Sequence, residues 1–254
     1  MLKSPEVELL ESKKKGVIMF GTLFGVGVGP GDPQLMTFKA VDILRRVPVI
    51  AYVVDDKGKS FAREVAAAHI PNSAVELPLR FSMSPKREVR LAAREEAARL
   101  TLAQLSAGQD VAFIAEGDPM LYSTFQHLLL SMPADVRVEI CPGVSSLSAS
   151  AAAAVFPLAL ENQRMMIAAA SRETASQLRG WLAQFEVVAL FKVHRHLKEL
   201  IAALDEIGAL GSSALVQRAS LADQVVTTNL AAWDDESAPP YFSMLLIRGG
   251  KAGD

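Results

Sequence analysis

The 254-residue chain contains one cysteine, no long apolar run and a formal net charge of only −2, and each shortage closes a route. A lone Cys141 cannot make an intrachain disulfide, which fits a reducing compartment and a cytoplasmic location. It ends the alternating run Val136-Arg-Val-Glu-Ile140 and precedes Pro142-Gly143, so it reads as a buried strand-end thiol rather than a nucleophile. No stretch approaches the roughly 18 apolar residues needed to span a bilayer, and no membrane partner is expected. The alanine-rich stretch 148–154 is too short and too weakly apolar. Near-neutral charge argues against a nucleic-acid protein built on phosphate neutralisation, yet leaves room for an anionic small molecule on a local basic patch. Residues 1–16 are polar, with Lys13-Lys-Lys15 after Glu8 and Glu11, the wrong order for a signal peptide. An extension over 1–18 is expected, and neither an internal repeat nor a low-complexity tract follows it.

Half the residues are apolar and 21% are charged, the balance of a soluble globular chain able to bury one large core or two small ones. Strand patterns are read at 23–28, 48–54, 74–79, 110–115 and 137–141. Helical patterns fall between them at 34–46, 60–68, 84–106 and 123–130. In the first of these helices Leu35, Phe38, Val41, Ile43 and Leu44 are expected to turn toward one side. Such alternation predicts a mostly parallel sheet with helices on its faces. After Cys141 an alanine-rich helix is expected to about Val155, then strands at 164–170, 187–192, 213–217, 224–228 and 241–247. The later strands are joined too closely for crossover helices, which predicts antiparallel neighbours. The fold class is therefore α/β in two domains, a parallel-type one over 19–141 and a mixed-sheet one over 142–254.

The most informative stretch is Gly27-Val-Gly-Pro-Gly-Asp-Pro33, which leaves the first strand. Glycines at 25, 27, 29 and 31 permit positive φ and are expected to expose backbone to a ligand. Asp32 suits a helix cap and Pro33 a first turn. A dinucleotide site is the obvious competitor, since Asp55 and Asp56 end the second strand near the offset of a ribose-binding acid. Its fingerprint fails: the glycine required five residues on is Pro30 counted from Gly25 and Asp32 counted from Gly27. No Gly-Lys-Ser/Thr follows, so a P-loop is excluded. A plain tight turn without a ligand is the bland reading.

Three further loops follow strands in order: Glu116-Gly-Asp-Pro-Met-Leu-Tyr-Ser-Thr124, Pro142-Gly-Val-Ser-Ser146 and Gln217-Arg-Ala-Ser220. Each alone is a common turn or cap; their order is far more specific. The ordered set, covering residues 23–247, resembles the tetrapyrrole (corrin/porphyrin) methylase family. Leu79-Arg-Phe-Ser-Met83 and Pro240-Tyr-Phe-Ser-Met244 make the likeness strongest to members that methylate precorrin-2 or cobalt-factor II at carbon 20 in cobalamin synthesis. Sirohaem-pathway relatives have Gly-Gly-Asp-Pro and a later Gly-Arg-Gly where this chain has Glu116 and Tyr122-Ser-Thr124.

The resemblance implies a homodimer of two-domain subunits, S-adenosylmethionine as methyl donor in the cleft between the domains, a tetrapyrrole substrate and no protein-bound metal. It also implies that Pro30 lines the donor site, that Glu116, Gly117 and Asp118 sit beside the ribose and methionine parts, and that Leu121, Ser123 and Thr124 continue the wall. Ser145 and Ser146 would meet the donor, Ala219 would approach the adenine, and Lys192 takes a position often held by methionine. A lysine cation repels a sulfonium, so Lys192 is expected to face substrate carboxylates or solvent. Those carboxylates call for cations: Arg80 beside Phe81, Arg87 in the series Lys86, Arg87, Arg90, Arg94, Arg99, and Arg195 in the group Lys192, His194, Arg195, His196, Lys198. Solvated faces are the alternative for both groups. No catalytic residue is named; Glu116, Asp118 and His69 stand as open choices for a base. His194 and His196 would share a face on a strand end, a weak metal pattern. A nicotinamide-dependent oxidoreductase and a non-catalytic tetrapyrrole carrier remain as functions of other classes.

Overall fold

The structure, a computed structural model, describes residues 20–233 and 239–249, and the expected extension over 1–18 lies outside them. The chain divides into two compact units after Ser145.

The first unit is built on β1 (Leu23–Gly27), β2 (Val49–Val54), β3 (Val75–Arg80), β4 (Val111–Ala115) and β5 (Val138–Cys141), in the order β3-β2-β4-β1-β5. Every pairing is parallel. All of β1 and β4 is buried, as expected of strands covered on both faces. Side-chain alternation sends Phe24 and Val26 to one face and Leu23 to the other. On the first face lie α1 (Phe38–Arg46) and α2 (Phe61–Ala66), through Ala40, Ile43, Leu44, Ala62, Val65 and Ala66. On the second lie α3 (Arg87–Ser106) and α4 (Phe125–Leu129), through Ala97, Leu105, Phe125 and Leu128.

Two expectations at the start of α1 are corrected. Asp32 accepts from the Gln34 amide at 2.8 Å, but it caps only the 3-10 turn Pro33–Leu35. The α-helix begins at Phe38, where the Thr37 hydroxyl accepts from the Ala40 amide at 3.1 Å. Phe38 consequently stands on the first turn with 92% of its surface exposed instead of facing the core. Cys141 is buried at the end of β5, its Sγ 3.7 Å from that same Thr37 hydroxyl.

The second unit carries β6 (Met165–Ala169), β7 (Val187–Phe191), β8 (Ser213–Gln217), β9 (Val225–Thr227) and β10 (Ser243–Arg248), ordered β6-β7-β10-β8-β9. Only β6 and β7 are parallel; β10 runs antiparallel between β7 and β8, and β9 closes the edge against β8. α5 (Ser146–Ala153) covers one face through Leu147, against Ala189, Met244 and Leu246. Helices α6 (Thr174–Leu182) and α7 (Leu197–Ile207) cover the other through Leu178, Leu197, Leu200 and Leu204. Leu245 and Ile247 alternate with Met244 and Leu246, so β10 feeds both cores.

Candidate functional site

β1 exits toward α1 on one face of the first sheet, while its neighbour β4 exits toward α4 on the other. Adjacent strands with diverging exits are the switch point at which open α/β sheets bind ligands, beyond the carboxyl ends. Here the two exits are tied together. The Gly117 amide donates to the Gly29 carbonyl at 2.7 Å, and the Gly29 amide returns a bond to the Gly117 carbonyl at 3.3 Å. Gly29 holds φ +82°, a conformation open to glycine and costly for side chains.

The loop after β5 joins at the same point. A Cβ placed on Gly143 would lie 2.1 Å from the Gly117 carbonyl oxygen and 2.8 Å from the Gly27 Cα. One placed on Gly27 would lie 2.6 Å from both that oxygen and the Gly143 nitrogen. Three main chains therefore touch where no side chain fits. Asp118 adds a fastening, one carboxylate oxygen accepting from the Gly143 amide at 3.0 Å and the other from the Met120 amide at 2.8 Å.

This arrangement changes the role read for the glycines. Gly25, Gly27, Gly29 and Gly31 are all buried, and they admit neighbours rather than exposing backbone. At Gly25 the neighbour is the Phe125 ring, 2.5 Å from where a Cβ would stand. The amides of Gly29, Gly117 and Gly143 are already committed within the protein. Residues 27–36, 115–124 and 141–145 contain three acids, Asp32, Glu116 and Asp118, and no lysine, arginine or histidine. A pyrophosphate would find these three amides taken and meet an unfavourable field here. A cationic sulfonium and a ribose diol suit carboxylates, carbonyls and hydroxyls.

Of the residues implied to line the donor site, the first unit brings eight to this edge. Pro30 is half-buried within the tied loop, Glu116 is exposed and Gly117 is buried. Asp118, Leu121, Ser123, Thr124 and Ser145 are half-buried. The Ser123 hydroxyl accepts from the Phe125 amide at 3.2 Å and so also starts α4. Tyr122 takes a left-handed φ of 52° between Leu121 and Ser123.

The second unit carries the other three. Ser146 is the first residue of α5. Lys192 follows β7 at φ 58°, half-buried. Ala219 is buried between Arg218 and Ser220, whose φ values are 52° and 68°. That loop is clasped by Arg218 on Asp223 at 2.6 Å and by the Gln224 side chain on the Ser220 amide at 2.7 Å. A left-handed non-glycine residue costs about 1–2 kcal/mol, so its recurrence in these loops marks a conformation held for use. Neither the strain nor the backbone seam at Gly117 left a periodic signal in the sequence.

The basic groups sort by position. Arg80 ends β3 exposed, without a hydrogen-bonded or ion-paired partner among the described residues. Its strand lies two places from β4, about 10 Å along the same carboxyl edge. Arg87 opens α3 at that edge, also exposed. Arg90 instead donates to the Ser84 and Pro85 carbonyls at 2.7 and 2.8 Å, and Arg99 pairs with Glu96 at 2.7 Å farther down the helix. Arg94 lies near His127, whose pKa is lowered first by burial and then by that guanidinium. In the second unit Arg195 is exposed at the end of the 3-10 turn Val193–Arg195. His194 is therefore not on a strand end, and the shared face expected with His196 is lost. The His194 ring meets Tyr241 edge-on at 5.1 Å, and burial followed by the Arg195 charge lowers its pKa. His69 falls at the opposite edge of the first sheet, in the 3-10 turn Ala67–His69 that precedes β3.

Fold and loops together define an α/β protein with a candidate small-molecule site at a switch point. Its sequence assigns it further: the chain belongs to the Tetrapyrrole (Corrin/Porphyrin) Methylases, whose family model matches residues 22–233. It is 34% identical over 239 residues to the cobalamin biosynthesis protein CobIJ of Mycobacterium tuberculosis, covering 91% of this chain and 46% of that one. The chain thus spans about half the length of that relative. To a precorrin-2 C(20)-methyltransferase of Sinorhizobium sp it is 31% identical over 239 residues, 91% of this chain and 96% of the relative. Among solved structures, a uroporphyrin-III C-methyltransferase from Thermus thermophilus complexed with S-adenosylhomocysteine superposes with a TM-score of 0.64 at 23% identity. That match covers 90% of this chain and 97% of the other, and it shows the shared fold.

Proposed function

We propose that the chain transfers a methyl group from S-adenosylmethionine to carbon 20 of precorrin-2 or its cobalt-bearing counterpart. The observation that carries the reading is the all-acidic, amide-committed rim at the switch point, which suits a sulfonium donor and disfavours a dinucleotide. The near full-length likeness to a relative of that name supports the choice of substrate.

Bound there, S-adenosylmethionine supplies an activated methyl group on a sulfonium. Glu116 offers the exposed carboxylate beside it, and Ser123, Thr124 and Ser145 offer hydroxyls to the donor's polar groups. Asp118 positions the loop, each of its oxygens holding a backbone amide, and its remaining lone pairs can also meet the donor. Pro30 and Leu121 supply apolar wall that excludes water. In the second unit Ser146, Ala219 and Lys192 are the residues the family resemblance assigns to the donor, with the Lys192 cation toward substrate carboxylates. Arg80, Arg87 and Arg195 bind the carboxylate fringe of the macrocycle. Holding donor and acceptor carbon in line is the protein's main contribution, worth roughly 7–11 kcal/mol of barrier when orientation is good. The same reading makes the protein a cytoplasmic homodimer.

Incubation with S-adenosylmethionine and each tetrapyrrole, metal-free and cobalt-loaded, should give a product heavier by one methyl group in mass analysis. Calorimetry should show binding of the donor and of its demethylated product. Absence of donor binding overturns the reading; tetrapyrrole binding without methylated product makes the protein a carrier. Fluorescence enhancement of a reduced nicotinamide on mixing would point to the oxidoreductase instead.

A further inference from the structure

Of the large apolar side chains left in water on the first unit, Val75 at the start of β3 and Leu130 after α4 stand elsewhere, while four stand beyond strand carboxyl ends. Phe38 is 92% exposed and Met83 82%, with Met120 and Tyr122 at 48% and 43%. All four stand in segments that leave strand carboxyl ends: Phe38 after β1, Met83 after β3, Met120 and Tyr122 after β4. Two mark opposite sides of the sheet, because Phe38 opens α1 on one face and Met83 leads into α3 on the other. The α1 helix buries Ala40, Ile43 and Leu44, so it has an inward face to which Phe38 does not belong. Flanking Met83 along the chain are the exposed cations Arg80, which ends β3, and Arg87, which opens α3, neither paired among the described residues. Lone exposed apolar residues need no explanation, but an apolar rim with cations set into it has a matching ligand shape: a flat apolar body fringed with carboxylates.

We infer that Phe38 and Met83 are the substrate-facing residues that grip the apolar faces of the macrocycle, while Arg80 and Arg87 take its carboxylates. The inference rests on the methyltransferase reading above and deepens it. An aromatic ring packs flat against a conjugated macrocycle, and a methionine adapts to its uneven edge. Phe38 and Met83 thus set which tetrapyrrole is held and how tightly, without touching the methyl donor.

The test compares Phe38→Ser, Met83→Ser and Phe38→Leu with Leu130→Ser, a residue 83% exposed at the far end of α4. With precorrin-2 as varied substrate, the two serine variants should raise KM at least tenfold. S-adenosylmethionine affinity by calorimetry and melting temperature should stay unchanged. Phe38→Leu should recover most of the loss, and Leu130→Ser should match the parent. Unchanged KM in both serine variants overturns the inference, as does an equal effect of Leu130→Ser. A change in association state with unchanged KM would show that a second copy of the chain covers the patch, and also overturns it. If the parent protein methylates no tetrapyrrole, the methyltransferase reading itself has failed, an outcome distinct from these.

Discussion

The two units meet one demand, a sharp turn beyond a strand, with opposite chemistry. In the first, positive φ falls on Gly29 and Gly117 at the point where three main chains touch, and the one left-handed non-glycine residue described there, Tyr122, lies farther along the β4 loop. In the second, it falls on Lys192, Arg218 and Ser220, residues whose side chains the same turns keep. Glycine is used where backbone must meet backbone and a Cβ would collide. Strain is accepted where the side chain is wanted, and Arg218 on Asp223 and Gln224 on Ser220 help to hold it. The first unit's site is a rigid frame, and the second unit's loops are shaped by local tension.

The contrast breaks most severely at the seam. Gly143→Ala places a methyl 2.1 Å from a carbonyl oxygen that cannot yield without parting two loops. We expect a loss of about 3 kcal/mol or more, read as failure to accumulate folded protein or a collapse of the thermal transition. A variant that melts within a few degrees of the parent would show the seam to be pliant. Asp118→Ala comes next. It leaves the Gly143 and Met120 amides without their acceptor and should cost about 1.5–3 kcal/mol, with donor affinity falling in parallel. Unchanged melting with lost donor binding would instead make Asp118 a direct ligand.

Lys192→Gly tests the other side of the comparison. Removing the left-handed penalty should raise stability by up to about 1 kcal/mol, partly offset by the freer unfolded chain, and activity should fall. Thermal unfolding beside turnover separates the two effects; a destabilised variant would mean that the lysine side chain, not its backbone, holds the turn.

The smallest effect is electrostatic. Arg63 binds Glu76 through Nε and Nη2 and Tyr52 donates to the same carboxylate at 2.6 Å, in that order lowering the Glu76 pKa to about 2. Burial and then Glu76 push Tyr52 up to about 12. A depressed carboxyl stabilises the fold above its unfolded pKa and loses that benefit as pH falls toward 2. Both partners are more than a third exposed, so the gain is about 1 kcal/mol or less. Glu76→Gln should therefore be slightly less stable than the parent at pH 7 and equal to it near pH 2, as followed by urea unfolding. A gap that persists in acid would exclude the ion pair as its source.

Much of this architecture was legible from residue pattern. Continuous apolar runs such as Val111–Ala115 and that within Ser243–Arg248 announce strands covered on both faces. The loops themselves were legible as well, because Gly-Asp-Pro and Pro-Gly pairs punctuate strand ends, and the structure brings three of them together. What escaped depends on tertiary partners. Asp32 satisfies a local cap rule, yet the chain needs a 3-10 turn and a second cap at Thr37 before α1 can start. Phe38 fits the apolar period but precedes the buried stripe by a turn. His194 alternates with His196 as a strand would, but β7 ends at Phe191 and the chain turns at once. Contacts among Gly27, Gly117 and Gly143 join residues 90 and 26 positions apart, a distance no window of sequence can bridge.

A scaffold whose crossing point consists of main chain places few demands on the identities of the groups projecting from it. Positions 116 and 121 can be randomised together in a library while Gly27, Gly117 and Gly143 are left untouched. Selection for altered donor binding can then explore side-chain space without eroding the foundation beneath it.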